Sequence, residues 1–136
     1  MILAFCIDDQ GGLAFNHRRQ SRDRGLVADL LAEAGARPVF CLPYSAGLFE
    51  PGTVTVTDDP GDVSADGILF LENADPAVYI PHAEELILYR WNRLYPADLT
   101  LRGKPVQWGY RLQDTMDFAG TSHEKITRER YVKKER

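Results

Sequence analysis

The chain has 136 residues, a formal net charge of −4 and a hydrophobic content of 44%, which fit one domain around a single core. No apolar run approaches the roughly 20 residues that cross a bilayer, and residues 1–7 are apolar but short and lack a basic flank, so they do not read as a signal peptide. Cys6 and Cys41 lie in apolar, strand-like runs, which reads as buried reduced thiols of a cytoplasmic protein; two cysteines so far apart make no zinc motif.

Residues 1–8 are apolar with β-branched support and predict a central strand. Asp9, Gln10, Gly11 and Gly12 follow as a turn. Leu26, Val27, Leu30, Leu31 and Ala34 fall on one face at helical spacing, so residues 24–34 predict the clearest helix. Ser21 or Asp23 is placed to cap its start, and Gly35 to end it. Residues 38–42 predict a second strand and residues 52–57 a third. Residues 58–66 read as an acidic loop punctuated by Gly and Pro. Residues 67–71 predict another buried strand. Asp75 is placed to cap a short helix with Pro76 in its first turn, and Pro81 limits it. Residues 86–91 predict the next strand, and residues 106–116 and 125–132 an antiparallel pair around a loop at 117–124. Strands alternating with few helices and closing on a hairpin give an α/β class: a mostly parallel central sheet with an antiparallel C-terminal hairpin.

The order of these elements resembles a shortened dihydrofolate reductase, and the likeness covers nearly the whole chain. The opening strand, the Gly11-Gly12 turn and Phe15-Asn16 resemble that family's first strand and mobile substrate loop. The segment from Ile68 through Glu72-Asn73-Ala74-Asp75-Pro76 to Tyr89 resembles its cofactor-binding strand, turn, helix and next strand. Leu94-Tyr95-Pro96-Ala97-Asp98 resembles its Asp-x-x-Phe-Pro stretch, and Trp108 with the final hairpin through Ser122-His123 resembles its C-terminal end. The resemblance implies a dihydrofolate reductase-like fold, NADPH as cofactor and a pterin-like substrate, with Asp23 or Asp29 near the position of the family's pterin-binding carboxylate. The chain departs from the pattern in three places. Arg18-Arg19-Gln20 replaces a Pro-Trp pair, the Gly-Arg-x-Thr phosphate signature is absent around residues 40–45, and Glu72-Asn73 replaces a glycine pair. A closer likeness is to short clostridial-type bacterial proteins that carry the blocks Phe-Asn-x-Arg-Arg-Gln-Ser and Tyr-Arg-Trp-Asn-Arg and are sometimes labelled ribonuclease Z. That activity requires a His-x-His-x-Asp-His metal cluster, whereas His17, His82 and His123 are widely separated here; no metal ligand set is read from the chain.

Charge is unevenly spread. Residues 50–85 hold nine acidic side chains and no Lys or Arg, while residues 18–24 hold four arginines. That basic cluster, with Asn16, Arg18, Arg19 and Ser21, lies between a strand and a helix start, where backbone N–H groups and guanidinium forks suit a phosphate or carboxylate. Arg90, Asn92 and Arg93 end a strand, and in α/β sheets ligand clefts lie beyond such ends. Alternation puts Arg90 and Asn92 on one face and Tyr89 and Trp91 on the other. Together the two segments predict one cleft in which Arg18 or Arg19 approaches Arg90, Asn92 or Arg93. Asp23 and His123 are the candidate catalytic groups; Ser122 adjoins His123 and so is not placed to pair with it.

Three functions follow. The first is a reductase-fold protein that binds a small anionic, nucleotide- or pterin-like ligand without hydride transfer. The second is an NADPH-dependent reductase of a pterin-like substrate with a rebuilt phosphate site. The third is a nucleic-acid-binding or phosphodiester-acting protein, which the acidic balance disfavours. Glu72-Asn73 favours the first over the second. The sequence leaves ligand identity, pathway and oligomeric state open, and implies no membrane partner.

Overall fold

The computed structural model describes residues 1–134. Its core is a sheet of seven strands: β1 (Ile2–Ile7), β4 (Val39–Cys41), β5 (Thr55–Val56), β6 (Ile68–Leu71), β7 (Glu85–Arg90), β9 (Tyr110–Phe118) and β10 (Ile126–Lys133), in the order β5-β4-β6-β1-β7-β10-β9. Three short strands, β2 (Gly12–Phe15), β3 (Arg18–Arg19) and β8 (Leu99–Thr100), form a second sheet in the order β3-β2-β8. One α-helix, α1 (Arg24–Ala34), packs on the larger sheet.

The three central strands are continuous apolar runs because both of their faces are covered. β1 pairs in parallel with β6 (Ile2 opposite Ile68) and with β7 (Ile2 opposite Glu85). Alternation divides the core in two. Ile2, Ala4, Ile68, Phe70, Ile87, Tyr89 and Trp91 face α1 through Leu26, Leu30 and Ala34. Leu3, Phe5, Ile7, Leu69, Leu71, Leu86 and Leu88 pack on the opposite face with Leu13, Ile80, Tyr110 and Tyr131. Complete burial of Leu26 and Leu30 contributes roughly 1.5–3 kcal/mol each and holds the helix to the sheet. Asp23 caps α1, accepting from the backbone N–H groups of Gly25 and Leu26, and Gly35 ends it at a positive φ of 57 that favours glycine.

The antiparallel half is formed by β10, which pairs with β7 on one side and β9 on the other. The predicted strand at residues 106–116 begins later, because Pro105–Trp108 forms a 3-10 turn and Gly109 takes φ 89. It also runs further, through Phe118, so the connecting loop shortens to residues 119–125. The predicted strand at residues 52–57 is reduced to Thr55–Val56, after Gly52 at φ 87 and a turn in which the Thr53 N–H donates to the Glu50 carbonyl. The short helix expected after Asp75 is a pair of 3-10 turns, Pro76–Val78 and Ile80–His82, the first capped by the Asp75 carboxylate accepting from the Ala77 N–H at 3.0 Å.

A candidate functional site at the carboxyl edge of the sheet

β1, β6 and β7 end side by side, which delivers Asp8, Glu72 and Trp91 to one edge of the sheet. The β2–β3 hairpin, the start of α1, the segment after β7 and the β9–β10 loop close over that edge. Three buried or half-buried carboxylates organise the region, and each is matched by donors.

Asp8 is buried and accepts from the N–H groups of Gln10 at 2.8 Å and Gly12 at 2.7 Å, the Gln20 amide at 2.8 Å and the Tyr95 N–H at 3.3 Å. Burial opposes its ionisation, but these donors outweigh burial and hold its pKa below the usual carboxylate range. Glu72 accepts both Arg19 Nε at 2.8 Å and Nη2 at 3.0 Å, and the Ser45 hydroxyl at 2.8 Å. This is a two-pronged guanidinium–carboxylate pair, with the Arg19 guanidinium carbon 4.5 Å from the centre of the Tyr44 ring. The neighbouring Asn73 amide donates to the His17 carbonyl at 2.9 Å and so fixes the tip of the hairpin, where Asn16 and His17 are left-handed at φ 52 and 61.

Asp23 is the most heavily bonded. Besides capping α1, it accepts the N–H groups of Thr121 at 2.8 Å and Ser122 at 2.7 Å, and its Oδ2 lies 3.0 Å from His123 Nδ1. The Asp23 and His123 side chains are 0% and 2% exposed. Burial raises the Asp23 pKa and the donors lower it; the donors prevail and keep the group well below the ordinary range. On the other ring nitrogen, His123 Nε2 lies 2.8 Å from the Tyr95 hydroxyl and 3.4 Å from the Ser21 hydroxyl. The Trp91 ring stacks on the imidazole at 4.6 Å. Such close approach needs glycine at Gly12 and Gly120, where a Cβ would run into the carboxylates of Asp8 and Asp23.

Between these groups remains a cavity of about 10 Å³ lined by Cys6, Leu13, Arg19, Gln20, Ser21, Glu72 and Trp91, room for a single water. Gln20 Oε1 is buried there without a hydrogen-bond partner among the described residues. Larger spaces lie around it. A cleft of about 260 Å³ is lined by Arg22, Asp23, Arg24, Val27, Thr121 and Ser122. Another of about 430 Å³ runs past Ile7, Leu88, Arg90 and Lys104, and one of about 680 Å³ lies beside Met1, Tyr79 and His82.

The expected single cleft joining the two arginine segments is not formed. Arg19 lies with Cys6 and Trp91, whose neighbours face α1. Arg90 follows Leu88 onto the opposite face, where its Nε donates to Glu129 at 2.8 Å. Alternation along β7 does place Tyr89 and Trp91 on one face and Arg90 on the other, but Asn92 lies past the strand at φ 59 and donates to the Lys125 carbonyl and the Thr127 hydroxyl. Arg93 is exposed, with its carbonyl accepting from the Asp9 N–H. Asn16 and Arg18 are exposed, the Asn16 N–H donating to Asp98. Asp29, the alternative pterin carboxylate, accepts from the Tyr89 hydroxyl at 2.7 Å and Arg128 at 2.6 Å. Of the sequence candidates, Arg19, Ser21, Asp23 and His123 come together. Asp8, Glu72, Trp91 and Tyr95 complete the group. No sequence signal linked Trp91 or Tyr95 to His123, although Tyr-Arg-Trp-Asn-Arg marked the segment.

No family model and no curated protein matches the chain. Among solved structures, it is similar to a dihydrofolate reductase from Enterococcus faecalis complexed with NADP(H) and RAB-propyl, with a TM-score of 0.69 over 99% of this chain and 97% of that one, at 11% sequence identity. The fold is therefore dihydrofolate reductase-like. The likeness to proteins labelled ribonuclease Z finds no support, and among the described residues no group of three or more His, Cys, Asp or Glu is placed to hold a metal ion. No helix among the described residues is long and apolar enough to cross a membrane.

Proposed function

We propose that this chain is a dihydrofolate reductase-fold protein that binds a small anionic ligand, nucleotide- or pterin-like in chemistry, and does not transfer hydride. The observation that carries this reading is the Arg19–Glu72–Ser45 lattice. It fills the carboxyl edge beside β6 and leaves a cavity the size of one water. A nicotinamide or pterin ring would have to break a half-buried ion pair to enter, and the Glu72 carboxylate offers a diphosphate repulsion rather than N–H donors. Beside it, the 260 Å³ cleft presents Arg22 and Arg24, neither of which makes an ion pair among the described residues, together with Thr121 and Ser122. Two uncommitted guanidinium groups at the start of an α-helix suit a phosphate or carboxylate.

Fluorescence titration with NADPH tests the first half: no saturable binding is expected at low micromolar concentration, and saturation there would restore the reductase reading. Calorimetric titration with adenosine monophosphate tests the second. Binding is expected to weaken roughly 100-fold or more in the double variant Arg22→Ala/Arg24→Ala, as loss of two charged hydrogen bonds worth about 1.5–3 kcal/mol each requires. Unchanged binding in that variant would remove the cleft from the proposal.

A further inference from the structure

We infer that Ser21, His123 and Asp23 form a nucleophilic triad that cleaves small carboxylic esters, an activity beyond anion binding and independent of Arg22 and Arg24. With Asp23 ionised, the hydrogen between it and His123 sits on Nδ1, and it is the neutral imidazole with that tautomer whose Nε2 carries a lone pair to accept. Two hydroxyls converge on that lone pair, Tyr95 at 2.8 Å and Ser21 at 3.4 Å. A histidine kept for stability alone is satisfied by Asp23 and Tyr95; the Ser21 hydroxyl is surplus to it. Ser21 is also half-buried, whereas the base and its carboxylate are closed to solvent. This is the layout a nucleophile requires: a hydroxyl on a residue not closed to solvent, a base in reach, and a third group that sets the tautomer and plane of the base. The stacked Trp91 ring restrains that plane further. The 3.4 Å separation is long for a formed hydrogen bond, and nucleophile–base distances are commonly loose before substrate arrives.

The cavity beside Ser21 supplies the remaining parts. Arg19 lines it, and its Nη1 makes no hydrogen bond among the described residues. A guanidinium N–H left over in this way can donate to an oxygen that gains negative charge. Gln20 Oε1, buried without a partner among the described residues, is an acceptor for a water that fills the same space until a substrate oxygen displaces it. That space takes no more than a single oxygen or water, so the acyl carbon must approach Ser21 from the solvent side.

The steps balance without a redox partner. The Ser21 oxygen bonds to the ester carbonyl carbon as its proton passes to His123 Nε2. The carbon–oxygen bond to the alcohol breaks, and His123 returns the proton to that alcohol. Water then attacks the acyl-Ser21 ester, giving its proton to His123, and the acid leaves as Ser21 recovers a hydrogen. The net change is ester plus water to acid plus alcohol.

Reaction of the intact protein with a small alkyl fluorophosphonate, read by mass spectrometry, tests the assignment. One adduct per chain is expected, mapped to Ser21 and absent from Ser21→Ala. That variant should keep the wild-type melting temperature, since His123 retains Asp23 and Tyr95. His123→Gln should label roughly 100-fold more slowly, the range set by loss of a general base. Tyr95→Phe, which frees Nε2 for Ser21, should label at least as fast as the wild type. No adduct, an adduct that persists in Ser21→Ala, or labelling that is lost with Tyr95→Phe would overturn the proposal. None of these outcomes bears on the adenosine monophosphate titration of the Arg22→Ala/Arg24→Ala variant.

Discussion

Arg19 and Arg90 are both arginines that end strands and pair with a glutamate, yet they lie in different worlds. Arg19 is 19% exposed and donates twice to a Glu72 side chain that is 6% exposed, under the ring of Tyr44. Arg90 is 36% exposed and shares Glu129 with the Tyr131 hydroxyl at the wall of an open cleft. Residue type and spacing are alike; depth is not. The first is locked into a buried set with Glu72 and Ser45, and this set fills the carboxyl edge beside β6.

Three substitutions rank that difference. Asp23→Ala should be the most damaging, because it strands the Thr121 and Ser122 N–H groups, the helix start and His123 together. About 3–5 kcal/mol of unfolding free energy should be lost in urea titration, the range for removing one partner of a buried pair. The same carboxylate dictates an acid limit. Its folded pKa is depressed, so its stabilisation is present in full above the unfolded value of about 3.9 and is lost as pH falls below that toward the folded pKa. The wild type should therefore lose stability below about pH 4 more steeply than Asp23→Asn does. Glu72→Ala comes next: it leaves Arg19 and the Ser45 hydroxyl unmatched, and should cost about 1–3 kcal/mol. It should also enlarge the one-water cavity, which a gain in NADPH affinity would register. Arg90→Ala should change stability by no more than about 1 kcal/mol, as expected of a partly exposed pair. If Arg90→Ala proved as costly as Glu72→Ala, depth would not be what separates the two arginines.

Much of the fold is legible in the residues. The runs at Ile2, Ile68 and Leu86 are apolar throughout because both faces of the sheet are covered, and Leu26, Leu30 and Ala34 repeat at helical spacing because one face of α1 meets that sheet. What stays hidden is short or distant. β3 and β8 have two residues each and no alternation to read. The start of β9 is set by the left-handed Gly109 rather than by any change in hydrophobicity. The site is legible by halves. Asp23 is marked as a cap by its place before an apolar helix, and Arg19 by its basic neighbours. His123, in contrast, is adjacent in sequence to Ser122 but hydrogen-bonds with residues on the far side of the chain. Alternation places Arg90 on its observed face, but nothing in the sequence says which face Arg19 reaches across the hairpin, so a shared cleft is not legible there.

The Asp23–His123 contact spans 100 residues of chain, and β10, the last strand, lies inside the sheet between β7 and β9. Loop-closure entropy of that span is spent before its contacts return any stabilisation. During synthesis the first hundred residues can form β1, β6, β7 and α1 while the Asp23 carboxylate still has only its helix N–H donors. The cluster therefore comes into being only once the β9–β10 hairpin has been made and paired with β7.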